Sequence, residues 1–226
     1  SGYAASFREF TVNYADFVPM VDAAGRPINP PARSDDYATD QGGMTINYRN
    51  EPFPTRVSSA SAGLKRAPAY VFSSAVHGDP STPLFRAYPG DPVVFRLIGG
   101  AHEEGHNFTL SGHRWLHEPD DPSSNLADSQ FVMISEFFNF EVSGTRLVKK
   151  GSKKDAVEKA REAGETEAGS TLVVPGGAGA PGDYLYGSMP LNDLWNGMWG
   201  IFRVPGTRVA DLQPLPTNTA PATGKP

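Results

Sequence analysis

Cysteine is missing altogether from this 226-residue chain, so it can form neither a disulfide framework nor a thiolate metal site. The absence leaves the cellular compartment open, because a large core needs no covalent staples inside or outside a cell. No apolar run approaches the roughly 20 residues that span a bilayer as a helix, and no signal-peptide pattern opens the sequence. Basic residues are in deficit: the formal net charge is −5. With no basic stripe to neutralise phosphates, nucleic acid is excluded as a partner. An initiator Met is lacking as well, and the expectation is a processed product, a trimmed chain or one piece of a longer protein.

Turn formers and aromatics are plentiful. The 24 Gly and 21 Pro break the chain into short segments, while 13 Phe, 8 Tyr and 3 Trp supply a sizeable core. Strands are expected at Arg8–Tyr14, Met44–Arg49, Ala69–Ser73, Leu84–Tyr88, Pro92–Ile98, Asn107–Trp115, Phe131–Ile134, Glu136–Val142, Tyr184–Tyr186 and Trp199–Val204. Turn signals such as Pro89-Gly90-Asp91 separate them. Many short strands with turns between them predict an all-β sandwich over residues 1–205. Residues 206–226, rich in Pro, Thr and Ala, read as an extended or disordered tail. Residues 152–164 break the pattern with helix formers, a start at Ser152 and Asp155 and a stop at Gly164. Val157 is the one sizeable apolar residue there, so the segment reads as a solvated helical excursion rather than a partner-binding helix.

The run Gly182-Asp183-Tyr184-Leu185-Tyr186-Gly187-Ser188-Met189, followed by Asp193 and by Gly197-Met198-Trp199, is the most specific part of the sequence. Arg8-Glu9-Phe10-Thr11-Val12, Ile46-Asn47-Tyr48-Arg49-Asn50-Glu51-Pro52, Val76-His77-Gly78-Asp79-Pro80 and Tyr88-Pro89-Gly90-Asp91-Pro92-Val93 accompany it. Together they resemble one domain of the multicopper oxidases, in the ceruloplasmin-like and bacterial manganese-oxidase-like branch. The resemblance runs from Arg8 to Val204 and implies a cupredoxin-like Greek-key β-sandwich with long loops.

It also implies where copper ligands would stand. The family's strand reads Gly-x-Tyr-x-Tyr-His-Cys-His, with a further His five residues after the Cys. Here Ser188 holds the Cys position, Gly187 and Met189 the flanking His positions, and Asp193 the later His position. Of the motif His-Pro-x-His-x-His-Gly-His, the first position is kept as His106, and the second and third are Thr109 and Ser111. Met198 keeps the weak axial position. Blue copper takes its tight binding from two imidazoles and a thiolate, with the thioether a long fourth contact. A serine hydroxyl has too high a pKa to replace the thiolate, and the chain contains no His-x-His pair for a trinuclear cluster. The expectation is that His106, Ser188, Asp193 and Met198 mark a vestigial site: no catalytic, cofactor-binding or metal-ligating residue is assigned, and copper belongs to the parent oxidase or its partner domains.

Other constellations have ordinary readings beside them. His102, His106, His113 and His117 crowd together among Glu103, Glu104 and Glu118, as at a metal site. His106 and His113, however, are seven apart and would face opposite sides of a regular strand, so solvated or hydrogen-bonded histidines are the default. For His106 the expectation is a hydrogen bond to Ser188 or Asp193, the alternative being an adventitious Cu(II) or Zn(II) held with Asp193. Ser188, His106 and Asp193 invite comparison with a hydrolase triad, yet no Gly-x-Ser-x-Gly elbow accompanies them. Asn107-Phe108-Thr109 matches a glycosylation sequon inside an expected core strand, which favours an unmodified Asn. Trp195 and Trp199 are expected to pack the end of the sandwich, the alternative being an exposed aromatic patch.

By resemblance, the chain is a copper-ligand-deficient domain or subunit of a multicopper oxidase, structural within an oxidoreductase assembly and inactive alone. Its expected partners are other cupredoxin domains, and its expected location is extracytoplasmic or secreted. The alternative is a free-standing, non-catalytic binding module on the same scaffold.

Overall fold

The computed structural model describes residues 6–26, 43–57, 63–101, 103–118, 124–143, 146–147, 171–172, 180–216, 218 and 221–222. In chain order the strands are β1 (Arg8–Val18), β2 (Gly43–Ile46), β3 (Phe85–Arg86), β4 (Pro92–Ala101), β5 (His106–Leu110), β6 (Trp115–Leu116) and β7 (Leu126–Ala127). They continue with β8 (Ser129–Val132), β9 (Phe137–Ser143), β10 (Arg146–Leu147), β11 (Thr171–Leu172), β12 (Gly182–Ser188) and β13 (Trp199–Val204). Short helical turns α1 (Phe53–Arg56), α2 (Ser74–His77) and α3 (Leu191–Trp195) interrupt them. The helical segment expected over 152–164 lies outside the described residues.

Two sheets face each other. One has the order β2-β1-β4-β9 and the other β3-β13-β12-β5-β8. Each contains one parallel pair, β1 with β4 and β3 with β13, so the chain crosses between sheets rather than meandering. This is an all-β, Greek-key sandwich of the cupredoxin-like kind, as expected. Alternation sets the inward face: along β5, His106, Phe108 and Leu110 are buried while Asn107 and Thr109 are half-exposed.

Aromatic rings fill the space between the sheets. Trp115 stacks on Phe140 at 4.4 Å between centroids, Phe85 lies 4.9 Å from Tyr186, and Phe95 touches both Phe108 and Phe140. Such pairs contribute about 0.5–1.5 kcal/mol each beyond their area burial. The tail beyond Val204 is tied back in part: the Tyr88 hydroxyl donates to the Leu212 carbonyl at 2.8 Å, and Leu212 is buried.

Several expected strands are corrected. The strand expected over Asn107–Trp115 starts at His106 and stops at Leu110, because Gly112 adopts φ +73° and turns the chain into the separate strand β6. Ala69–Ser73 is no strand: Pro68 opens a 3₁₀ turn over Pro68–Tyr70. Met44–Arg49 is cut at Ile46, since Asn47 and Tyr48 adopt φ of 53° and 60° in a tight reversal. Leu84–Tyr88 shrinks to Phe85–Arg86.

Candidate functional site

Three segments converge at one end of the sandwich: the first residue of β5, the last of β12, and the turn α3 with its exit into β13. Pro190 opens α3, and the Asn196 and Gly197 amides close it by donating to the Asn192 and Leu194 carbonyls. The Met198 N–H donates to the Asp193 carbonyl at 2.9 Å, and the Ser188 N–H donates to the Met198 carbonyl at 3.0 Å. These bonds fold Asp193 back over the end of β12. His106, Ser188, Asp193 and Met198 are all buried, and the structure brings the first three into one hydrogen-bonded cluster.

Asp193 is the centre of that cluster. Its Oδ2 accepts from Ser188 Oγ at 2.5 Å and lies 3.0 Å from His106 Nδ1. Ser188 Oγ also accepts the Asn107 N–H at 3.1 Å. The hydroxyl therefore donates once to a carboxylate and accepts once from the backbone.

The opposite edge of the His106 ring meets a residue with no sequence signal. Asp16 Oδ2 lies 3.9 Å from His106 Nε2 and accepts the Glu103 and Glu104 amides at 3.0 and 2.8 Å. Asp16 shares the inward parity of buried Val12 and Tyr14 on β1. Register shifts after Tyr14 and Ala15 accompany the burial of Ala15 out of phase between them. Tyr14 lies with its ring centroid 5.4 Å from that of His106. Burial, then the charges at Tyr186 and Asp193, push its phenol pKa well above the ordinary 10.0. The two carboxylates thus address opposite nitrogens of one imidazole and do not converge on a common point. Among the described residues, no group of three or more His, Cys, Asp or Glu side chains is placed to hold a metal ion.

The hydrolase comparison fails on connectivity. In a catalytic triad the imidazole stands between hydroxyl and carboxylate and takes the hydroxyl proton. Here the carboxylate stands between hydroxyl and imidazole, so Ser188 gives its hydrogen bond to Asp193 and not to His106.

Gly187 carries the strongest steric constraint. It adopts φ +150°, and a Cβ there would sit 2.4 Å from the Met198 carbonyl oxygen and 2.7 Å from the Trp199 Cα. The position that holds a flanking His in the resembling motif has no room here for any side chain.

The other histidines disperse. His113 is buried beside the Tyr184 and Phe202 rings, and its Nδ1 donates to the Ser111 carbonyl at 2.9 Å. Burial holds its pKa below the ordinary 6.5, with the Ser111 bond acting the other way. The parity expectation for His106 and His113 is corrected, since the turn at Gly112 separates them and both are buried. His117 is exposed just after β6, 3.8 Å from Glu118, and His102 lies outside the described residues. The two tryptophans divide: Trp199 is fully buried, whereas Trp195 is exposed beside exposed Leu191.

A second buried ionic group supports this end of the molecule. Arg56 donates to Glu51 at 2.8 Å, to the Val71 carbonyl at 3.0 Å and to the Gly78 carbonyl at 3.1 Å, with its guanidinium 4.9 Å from the Trp199 ring centre. Burial pushes the Glu51 carboxyl up, but hydrogen bonds from Ser81 and Arg56 outweigh it and the net shift is downward. The Trp199 indole N–H donates to the Glu51 carbonyl at 2.8 Å. Glu51 stands in the motif Ile46-Asn47-Tyr48-Arg49-Asn50-Glu51-Pro52, whereas no motif contains Arg56.

No family model matches the sequence, and no curated protein does. Similar solved structures do exist. A multicopper oxidase aligns at a TM-score of 0.45 and 11% identity, over 88% of this chain and 44% of its own. The copper nitrite reductase from Nitrosomonas europaea aligns at 0.46 and 9%, over 93% and 52%. A laccase from Botrytis aclada aligns at 0.44 and 13%, over 94% and 31%. The likeness is to multicopper oxidases and copper nitrite reductases. The chain spans about half the length of the first two structures or less. At these scores the fold assignment rests on the chain's own strand order and register.

Proposed function

We propose that this chain is a cupredoxin domain or subunit of a multicopper oxidase, of the ceruloplasmin-like and bacterial manganese-oxidase-like branch, that has exchanged its copper ligands for a structural hydrogen-bond cluster. The observation that carries this reading is Ser188, whose hydroxyl bridges Asp193 Oδ2 and the Asn107 amide at the position of the copper thiolate. A copper ion would need a soft anionic donor at that point, and the residues present offer a neutral hydroxyl already engaged on both sides. The donor set does not fit blue copper. The lack of space at Gly187 supports the same reading, because the backbone itself excludes a flanking imidazole.

The domain's role is then to pack against catalytic cupredoxin domains and hold loops around them, in an extracytoplasmic assembly, while copper stays in those domains. Activity assays test this. The copper-supplemented chain alone should show no oxidation of ferrous, manganous or phenolic substrates above background, and the copper-bearing domains should lose stability without it. Turnover by the isolated chain would refute the reading.

A further inference from the structure

The corner that joins β8 to β9 exposes a cluster of large apolar side chains. Phe137 is 70% and Phe131 55% exposed, with Met133 and Ile134 exposed between them. Its halves flank the corner, Phe131 and Met133 together on the β8 side and Phe137 with Ile98 on the β9 side. A Cβ at Gly105 would meet the Phe131 ring and Met133 Sδ, and one at Gly99 would meet the Met133 carbonyl. Phe137 pairs with Ile98 across β9 and β4. Val132, between Phe131 and Met133, pairs with His106, so the cluster adjoins the polar site without sharing its residues.

Two further observations indicate what covers it. β8 and β9 are the outer strands of their sheets, and open strands are normally blunted with Lys or Pro. Residues 129–143 contain neither Lys, Arg nor Pro, and residues 97–111 contain none of them either. The rim is acidic instead: Glu103, Glu104 and Glu136 are exposed around the apolar centre. A second copy docked face to face would bring these carboxylates against their own counterparts, a like-charge arrangement that costs several kcal/mol. An anionic lipid surface would be repelled in the same way.

We propose that the β8–β9 corner docks an apolar protein surface ringed by lysine and arginine, borne by a copper-bearing domain of the partner oxidase. This rests on the subunit reading above. The test titrates the full chain into the purified multicopper oxidase of the source organism at low and high salt. The chain is used as wild type, as Phe131→Ser/Phe137→Ser and as Glu103→Lys/Glu104→Lys, each checked for unchanged thermal unfolding. The expected result is saturable binding weakened by salt, reduced about tenfold or more by the serine pair, and reduced with a flatter salt dependence by the lysine pair. Equal binding by all three chains overturns the corner as the docking surface while leaving the subunit reading intact. Dimerisation abolished by the serine pair, or binding to phosphatidylglycerol vesicles abolished by it, assigns the corner to the wrong occupant and overturns the proposal. Failure of the wild-type chain to bind the oxidase overturns both the proposal and the reading beneath it.

Discussion

Ser188 and His106 share a single acceptor: both address Oδ2 of Asp193, at 2.5 and 3.0 Å, from strands that are neighbours in one sheet. One carboxylate oxygen therefore joins the end of β12 to the start of β5. Removing it leaves two buried donors, the Ser188 hydroxyl and His106 Nδ1, without an acceptor, and each such group costs about 1–3 kcal/mol. Asp193→Ala should lower stability by about 3 kcal/mol and Ser188→Ala by about 1 kcal/mol. Urea denaturation of both and of the double variant should give a coupling of about 1 kcal/mol or more. Strict additivity would show that the shared oxygen is not the link.

Gly187 should tolerate no side chain. Its φ of +150° and the 2.4 Å approach of a Cβ to the Met198 carbonyl combine strain with overlap. Gly187→Ala should cost about 3 kcal/mol or prevent folding, whereas alanine at Gly25, which adopts φ +77° in open space, should cost about 1 kcal/mol.

Much of this arrangement was legible in residue order, and the gaps have physical causes. β12 and β13 are readable because apolar residues and turn signals bracket them, and the replaced positions at Ser188, Asp193 and Met198 follow from motif spacing. Asp16 stands in phase with Val12 and Tyr14, but its partners, the His106 ring and the Glu103 and Glu104 amides, lie far away in the chain and leave no mark beside it. Arg56 was equally hidden: a cation enters the interior through partners distant in sequence, the Val71 and Gly78 carbonyls among them. The count from His106 to His113 misled because parity holds only while a strand continues, and this strand ends at Leu110.

His113 predicts a pH dependence. Burial depresses its pKa in the folded chain below the ordinary 6.5, so the unfolded chain takes up the proton first as pH falls. Its contribution is fully present above the unfolded value and is lost as pH drops below it. Stability should decline by at most about 1.4 kcal/mol per pH unit from this group. Chemical denaturation at pH 7.5 and 5.5 should show the decline in the wild type and a smaller one in His113→Phe. An identical decline in both would assign the effect to other groups.

Arg56→Met should uncover the role of the second ionic group. It leaves Glu51 half-buried without its guanidinium and frees two backbone carbonyls from their donor. Breaking a buried ion pair from one side costs about 3–5 kcal/mol; Glu51 keeps its Ser81 bonds, so a loss of about 2–3 kcal/mol is expected. Trp199 fluorescence should shift as its stacked cation goes, and an unchanged spectrum with unchanged stability would contradict the assignment.

Copper stoichiometry after equilibration with Cu(II) and Cu(I), followed by gel filtration and metal analysis, tests the central claim most directly. With Ser188 and His106 both committed to Asp193, the wild-type chain should retain copper at background level, indistinguishable from His106→Ala. One tightly held copper per chain that disappears in His106→Ala would contradict it.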